Sequence, residues 1–228
     1  MPNHYFEGTG VLVLERVTPV IKALFSPFSL DETFPGIGQA YIARDAECTD
    51  PQWSDLFGRL EDLAAQLGVA MPEGSDPSIP PVLERLAEYF GASHDEELAN
   101  LIEHHSFEHN AELDALLLIA TCFDDGHHLT AIQFEDCWYC SRPRLFEFGG
   151  KGCYLSRQVD VFRSSSQALE LGAELHKFIL FSEVDEAATL VVREVGSLLA
   201  GINDEEFRVD LRRCVAERLA RMPAASAA

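Results

Sequence analysis

The sequence predicts an α+β fold: a β-α-β opening, an acidic helical layer, an antiparallel β-meander and C-terminal helices. Three observations carry that reading. Two short strand-like runs bracket a capped helix within the first 44 residues. Residues 45–125 repeat apolar stripes at helical spacing while holding nineteen Asp or Glu against only Arg59 and Arg85. Residues 129–162 then change to a period of two. With 228 residues, 47% of them hydrophobic and fifteen of them Phe, the chain is long enough to bury a core and is no solvating acidic tail. Residues 1–163 are expected to form the α+β core, with the acidic layer at 45–125 and the meander at 129–162. Residues 164–222 are expected to form a helical part packed on the same domain.

In chain order, Gly10–Leu14 is a Val-rich apolar run flanked by turn residues, hence a buried strand. Thr18-Pro19 is a helix start, and Val20–Phe28 presents Val20, Ile21, Leu24 and Phe25 to the core. Phe34–Gly38 is a turn and Gln39–Arg44 a second strand. Asp50-Pro51 opens a helix with the stripe Trp53, Leu56, Phe57, Leu60, Leu63 and Leu67, ending at Gly68. Residues 72–81, with four Pro and a Gly, form the clearest internal linker. A helix follows from Pro81 to Phe90, and another from the capping box Ser93-x-x-Glu96. Asn110 begins the next, whose Leu113–Ile119 run is apolar nearly all round and belongs in the core.

In the meander, Thr130, Ile132 and Phe134 alternate, as do Phe146 and Phe148. Gly149-Gly150-Lys151-Gly152 makes a tight hairpin and Tyr154-Leu155 begins the return. Three helices close the chain: one after Ser164–Ser166, one from Ser182-x-x-Asp185 to Gly201, and one from Asp204 through Leu219. The last has acids at its start and arginines toward its end, matching the helix dipole. The Ala-rich tail after Pro223 is expected to fray.

Charge is the strongest functional signal. Residues 45–125 carry −17 of the chain's −21. Such an excess repels nucleic acid and anionic lipid and favours basic partners. The N-terminus shows no basic region followed by an apolar one, so no signal peptide is expected. The longest apolar runs are far short of a membrane span. A cytoplasmic location is expected, with the six cysteines mostly reduced. Carboxylates at i, i+4 on a helix stand about 5–6 Å apart at Cβ, and DNA offers about one negative charge per 1.7 Å of axis. Short helices packed side by side can therefore present a phosphate-like lattice. Glu84, Glu88, Asp95, Glu96, Glu97, Glu103, Glu112 and Asp114 are the residues expected to form that partner-binding face; a solvated surface is the plainer alternative.

Metal chemistry is the competing class. His105-Ser106-Phe107-Glu108-His109 matches H-x-x-E-H, in which two His on one helical face grip zinc while Glu activates its water. A helix end is expected inside it, and no third ligand is identifiable. Cys137-Trp138-Tyr139-Cys140 is a lone C-x-x-C whose second pair would have to come from His127, His128, His104, His105 or Cys153. Its alternative is a pair of half-buried thiols at a strand end. Asp124-Asp125-Gly126-His127-His128 could ligate a metal but lacks the alternating acids of a calcium loop, so a turn is expected. No Walker motif, G-x-S-x-G or dinucleotide fingerprint is present, and no catalytic residue is assigned.

The runs Glu97–Glu108 (ELANLIEHHSFE), Cys137–Gly150 (CWYCSRPRLFEFGG) and Phe123–His127 (FDDGH) resemble uncharacterised acidic accessory proteins of proteobacterial mobile genetic elements. That group has no assigned activity. The resemblance implies a bacterial cytoplasmic accessory protein, and elements of that kind often carry small acidic inhibitors of host defence nucleases. The expected function is therefore a non-enzymatic binding protein that occupies a basic, nucleic-acid-binding surface of a partner. A nucleic-acid mimic that inhibits a host defence nuclease complex is the narrower form of this expectation. The alternatives are a zinc protein, hydrolytic or structural, and an acidic immunity protein that neutralises a toxin.

Overall fold

In the computed structural model, which describes residues 4–45, 51–71, 77–142, 145 and 147–221, the first strand lies inside an antiparallel sheet. This strand, β1 (His4–Val13), pairs with β3 (Gln39–Asp45) in register Val13↔Gln39 and with β4 (Ala131–Cys140) in register Val13↔Ala131. β2 (Asp31–Pro35) flanks β3, and β5 (Phe148–Leu155) flanks β4, giving the order β2-β3-β1-β4-β5. Even-numbered side chains of the three inner strands point to one face. There Leu12, Ala40, Ile42, Ile132 and Phe134 are buried, while Thr9, Gln133 and Glu135 stand exposed on the other. The Phe134 ring lies across β1 at Gly8 and Gly10, where any added Cβ would collide with it. Glycine in the middle of this strand is thus explained by an aromatic ring on its surface.

Helices cover that face. They are α1 (Pro19–Phe25, continued by a 3-10 turn Ser26–Phe28), α2 (Trp53–Gln66), α3 (Ile79–Phe90), α4 (Glu96–His104) and α5 (Leu113–Cys122). The stripe Trp53, Leu56, Leu60 and Leu63 of α2 is buried, as are Val82, Leu83 and Leu86 of α3 and Leu116, Ile119 and Ala120 of α5. They form one cluster with Phe25, Phe28 and Phe123. Each such side chain contributes roughly 1.5–3 kcal/mol on leaving water, which is what holds the acidic layer against its own repulsion.

Four sequence expectations are corrected. Gly149–Gly152 is strand, not hairpin: Trp138 pairs with Gly149 and Asp136 with Lys151, and the Trp138 ring occupies the space a side chain at 149 would need. Residues 31–35 form a strand, invisible to pattern reading because all five are exposed. Asp95, not Ser93, caps α4, its Oδ1 accepting from the Leu98 N–H at 2.9 Å. Asn110 does not open α5, which starts at Leu113; its side chain is instead held by Gln52 at 2.6 Å, across an isolated bridge between the two residues. Asp50, Phe146, the 72–76 part of the proline-rich segment and the tail after Pro223 lie outside the described residues.

The chain divides into two compact units, Met1–Ser156 and Arg157–Ala228, a boundary earlier than the 163/164 division read from sequence. The second unit contains β6 (Asp160–Ser164), α6 (Ser165–Phe181), α7 (Val184–Ala200) and α8 (Glu205–Arg221). Ser164 and Gln167 form a capping box at the start of α6, and Asp204 accepts from the Phe207 N–H at the start of α8. Arg193 of α7 reaches Glu174 of α6 at 2.9 Å. Among the described residues no helix is long and apolar enough to cross a membrane.

Candidate functional site: an acidic-rimmed cleft between two helices

α3 is amphipathic: Val82, Leu83, Leu86 and Ala87 face the core, which leaves Glu84 and Glu88 exposed on the opposite side. The helix stops at Gly91, whose φ of +72° is left-handed and suits glycine. A short turn follows and Asp95 then starts α4, which comes to lie beside α3. On α4 only Leu98 is fully buried; Leu101 and Ile102 are half-buried. Between the two helices is an open cleft of about 440 Å³. Ala87, Leu98, Ala99 and Ile102 line it as apolar wall, and Glu84, Glu88 and Glu103 supply its carboxylates. Glu88 is bound by Arg85 on its own helix at 2.7 Å, and Glu103 comes within 4.0 Å of the His104 ring. Arg85 and Arg59 are the only Lys or Arg in the whole 45–125 block.

The eight acids singled out from the sequence therefore fall into separate groups. Glu84, Glu88 and Glu103 meet around the cleft. Asp95, Glu96 and Glu97 gather at the α4 N-terminus, where Asp95 is occupied as the cap and negative charge suits the helix dipole. Glu112 and Asp114 lie at the start of α5. Glu112 is drawn into the structure itself. Its Oε2 accepts from the Trp53 indole N–H at 2.6 Å and stands 3.4 Å from His105 Nε2. The Trp53, His105 and Phe107 rings pack edge to face around it.

That network decides the H-x-x-E-H motif. His105 is the C-cap of α4, and Phe107 and His109 both have positive φ (+51° and +63°), so 105–109 is not a helical turn and cannot place two imidazoles on one face. His105 Nδ1 accepts from the Phe107 N–H at 2.9 Å, leaving Nε2 as the donor toward Glu112. Neither nitrogen keeps a lone pair for zinc. The C-x-x-C reading is corrected for a different reason. Cys137 and Cys140 lie three apart on β4, so the pleat sends them to opposite faces: Cys137 is exposed and Cys140 buried. They cannot grip one ion together.

One group of potential ligands does converge among the described residues: Asp124, Asp125 and His127 have atoms within 4.8 Å of one another. His127 and Asp124 are already committed, and Asp125 is engaged through Oδ2 alone, its Oδ1 being buried with no hydrogen-bond partner among the described residues. His127 is fully buried; its Nδ1 accepts from the Leu129 N–H at 2.8 Å and its Nε2 donates to the Ala120 carbonyl at 3.2 Å. Asp124 accepts from the backbone N–H of Gly126 and of His128, and from the His128 ring at 2.9 Å. Asp125 accepts from the Val20 N–H at 3.2 Å, capping α1 from a distant part of the chain. Burial pushes the His127 imidazole below its ordinary range, outweighing the nearby Asp124 and Asp125 carboxylates. For Asp124, burial acts upward but is overcome by the His128 and Gly126 N–H donors, and its carboxyl is held below the ordinary value. The segment is a pinned turn, as its lack of alternating acids predicted.

The cleft is hidden in the sequence because Leu98 and Ile102 carry the helical spacing of core residues, and spacing does not show that a gap remains beside them. Its one sequence signal is that α4 carries small Ala99 beside Ile102, facing Ala87 and Ala92, too little apolar bulk to fill the gap between two helices. Against protein-family models, curated proteins and solved structures, the chain shows no match.

Proposed function

We propose that the protein is a non-enzymatic acidic binding protein that occupies the basic, nucleic-acid-binding surface of a partner, and that the α3–α4 cleft is where it grips. The observation that carries this is the combination in one place of an apolar wall with the carboxylates of Glu84, Glu88 and Glu103. An Arg or Lys side chain, or one turn of a basic amphipathic helix, combines an aliphatic stem with a cationic head and matches both features. The carboxylates at the α4 and α5 N-termini extend the negative field beyond the cleft and would steer a basic partner toward it. An immunity protein acting on a basic toxin would use the same surface and differs only in its partner.

The test is binding of an arginine-rich amphipathic helical peptide, followed by fluorescence anisotropy, and capture of partners from a bacterial lysate at low and high salt. The triple reversal Glu84→Lys, Glu88→Lys, Glu103→Lys is expected to weaken binding on the order of 100-fold, because like charges then face each other in the cleft. All three side chains are exposed, so the circular dichroism spectrum should not change. Binding should fall steeply between about 0.05 and 1 M salt as the Debye length shrinks to about 3 Å. Affinity indifferent to both the reversal and the salt would refute the reading.

A further inference from the structure

The second unit has a surface its own residues do not cover. Among the described residues of α6, α7 and α8, only Leu190 and Leu199 are buried large apolar side chains. Eleven others on α6, α7 and α8 are between 47 and 74% exposed, from Val191 to Val184. Summed over the three helices, that is on the order of 1,000 Å² of apolar surface by the size of such side chains.

The exposed residues are ordered. On α7, Val184, Ala188, Val191, Val195 and Leu198 recur at spacings of four, three, four and three, and all but half-buried Val195 are exposed. On α6, Leu169, Gly172, His176 and Ile179 recur at three, four and three, all exposed, with Leu180 beside them at 67%. A core-facing helix carries a wider stripe; a strict three-four alternation is the seam of one helix against another. Each arm of the α6–α7 hairpin thus has a side packed on its neighbour, tied by Arg193 to Glu174, and a narrow seam left over.

We propose that this seam is covered by a second copy of the chain, two α6–α7 hairpins meeting about a two-fold axis to form a four-helix bundle. Several features favour a copy over a foreign partner. A hairpin with a seam on both arms is complementary in shape to itself, and the bundle is the ordinary way such hairpins close. The charge on α8 is self-complementary as well. Its first half holds Glu205, Glu206 and Asp210 with Arg208 and Arg212, and its second half Arg213, Arg218 and Arg221 with Glu217. Set antiparallel about a two-fold axis perpendicular to them, two such helices would place the acidic start of one against the basic end of the other; a strongly acidic or basic foreign helix would leave half of α8 opposed. If each copy covers only half of its exposed apolar surface, about 1,000 Å² is buried in total, the size a specific interface requires. The acidic α3–α4 cleft belongs to the other unit, so dimerisation would present it twice.

Sedimentation velocity on the full chain, from about 1 to 100 µM, reads this directly. A species of twice 25.3 kDa is expected, dissociating on dilution. The double variant Val191→Glu, Leu198→Glu should move it to 25.3 kDa across the whole range without loss of helical circular dichroism, because both residues are exposed. Val192→Glu, equally exposed but off the seam, should leave the dimer intact. A wild-type chain that stays at 25.3 kDa up to about 100 µM overturns the proposal, and so does a dimer that survives the double variant or dissociates only with Val192→Glu.

Discussion

The two units carry apolar residues in similar abundance and use them in opposite ways. In Met1–Ser156 the stripes of α2, α3 and α5 disappear into one cluster beneath the sheet, and the charge is left outside. On α6 and α7 one side of each helix packs on its neighbour, with Leu190 and Leu199 buried, and a second apolar seam remains in solvent. Periodicity alone says that a helix has an apolar side; it does not say whose surface that side meets. Stripe width and spacing carry some of that information. The first unit shows broad stripes that include bulky residues such as Trp53, and the second shows narrow three-four seams interrupted by Gly172 and Ala188.

The contrast breaks first at the core. Leu60 is fully buried, and Leu60→Ala should cost about 2–5 kcal/mol of unfolding free energy in urea, by lost transfer energy and by the cavity left behind. Val192→Ala, at 70% exposure, should stay within about 0.5 kcal/mol in the same experiment. Equal costs at the two positions would mean that the second unit is packed as tightly as the first, and the distinction drawn between them would be lost.

A somewhat smaller effect is expected where the sheet's core face ends in charge. Asp136 is buried on the same side of β4 as Phe134, and its carboxylate receives Arg44 at 2.6 Å and Lys151 at 3.4 Å. Arg44 also lies over the Phe134 ring, 5.8 Å from its centre. Asp136→Ala would remove the buried acid that both cations reach, beside an apolar face, at a cost of about 3 kcal/mol. The partly exposed Lys151 should matter less, so Lys151→Ala is expected to cost under about 1 kcal/mol. Next comes Glu112, the acid drawn from the charged face into a structural role. Glu112→Ala removes the acceptor of the Trp53 indole N–H and should cost about 1–2 kcal/mol. Asp114→Ala, in the first turn of the same helix, should cost little. If both acids prove neutral to stability, Glu112 returns to the set available for a partner.

What was legible in the sequence was local. Trp53, Leu56, Leu60 and Leu63 announce a helix because neighbours three and four apart share a face whatever surrounds them. Thr18-Pro19 and Asp204 mark helix starts for similar reasons. The α+β class followed from such signals. The unread features depend on residues far apart in the chain. Gly149–Gly152 looked like a turn because glycine is usually chosen for its backbone freedom; here it is needed because the Trp138 ring, from the paired strand, lies on Gly149. Cys137 and Cys140 looked like a pair because spacing says nothing about direction until the strand is known. The H-x-x-E-H motif is undone by two left-handed residues that no pattern marks. For the candidate site, the carboxylates were all in view, but which three would surround one cleft depended on how α4 folds back beside α3.

The smallest expected effect concerns the pinned turn at Asp124–His128 and separates a structural histidine from a metal ligand. His127 is held neutral by burial, with Nδ1 accepting from Leu129 and Nε2 donating to Ala120. Its folded pKa lies below the ordinary 6.5 that the unfolded chain recovers. The unfolded state therefore takes up the proton first as pH falls. Stability is full above about pH 6.5 and declines below it until the folded value is reached, then levels. The Asp124 carboxyl, also lowered in the folded state, acts in a separate acid window: its contribution is intact above its ordinary 3.8 and is lost as pH falls below that. A proton NMR titration should find His127 titrating below its ordinary 6.5, with a urea midpoint that falls as pH drops below that value. A zinc or nickel addition at about pH 7 should leave its resonance unmoved. Titration of His127 at or above 6.5, or a metal-induced shift, would mean that the ring is not locked between Leu129 and Ala120, and the turn would again be open to a ligand.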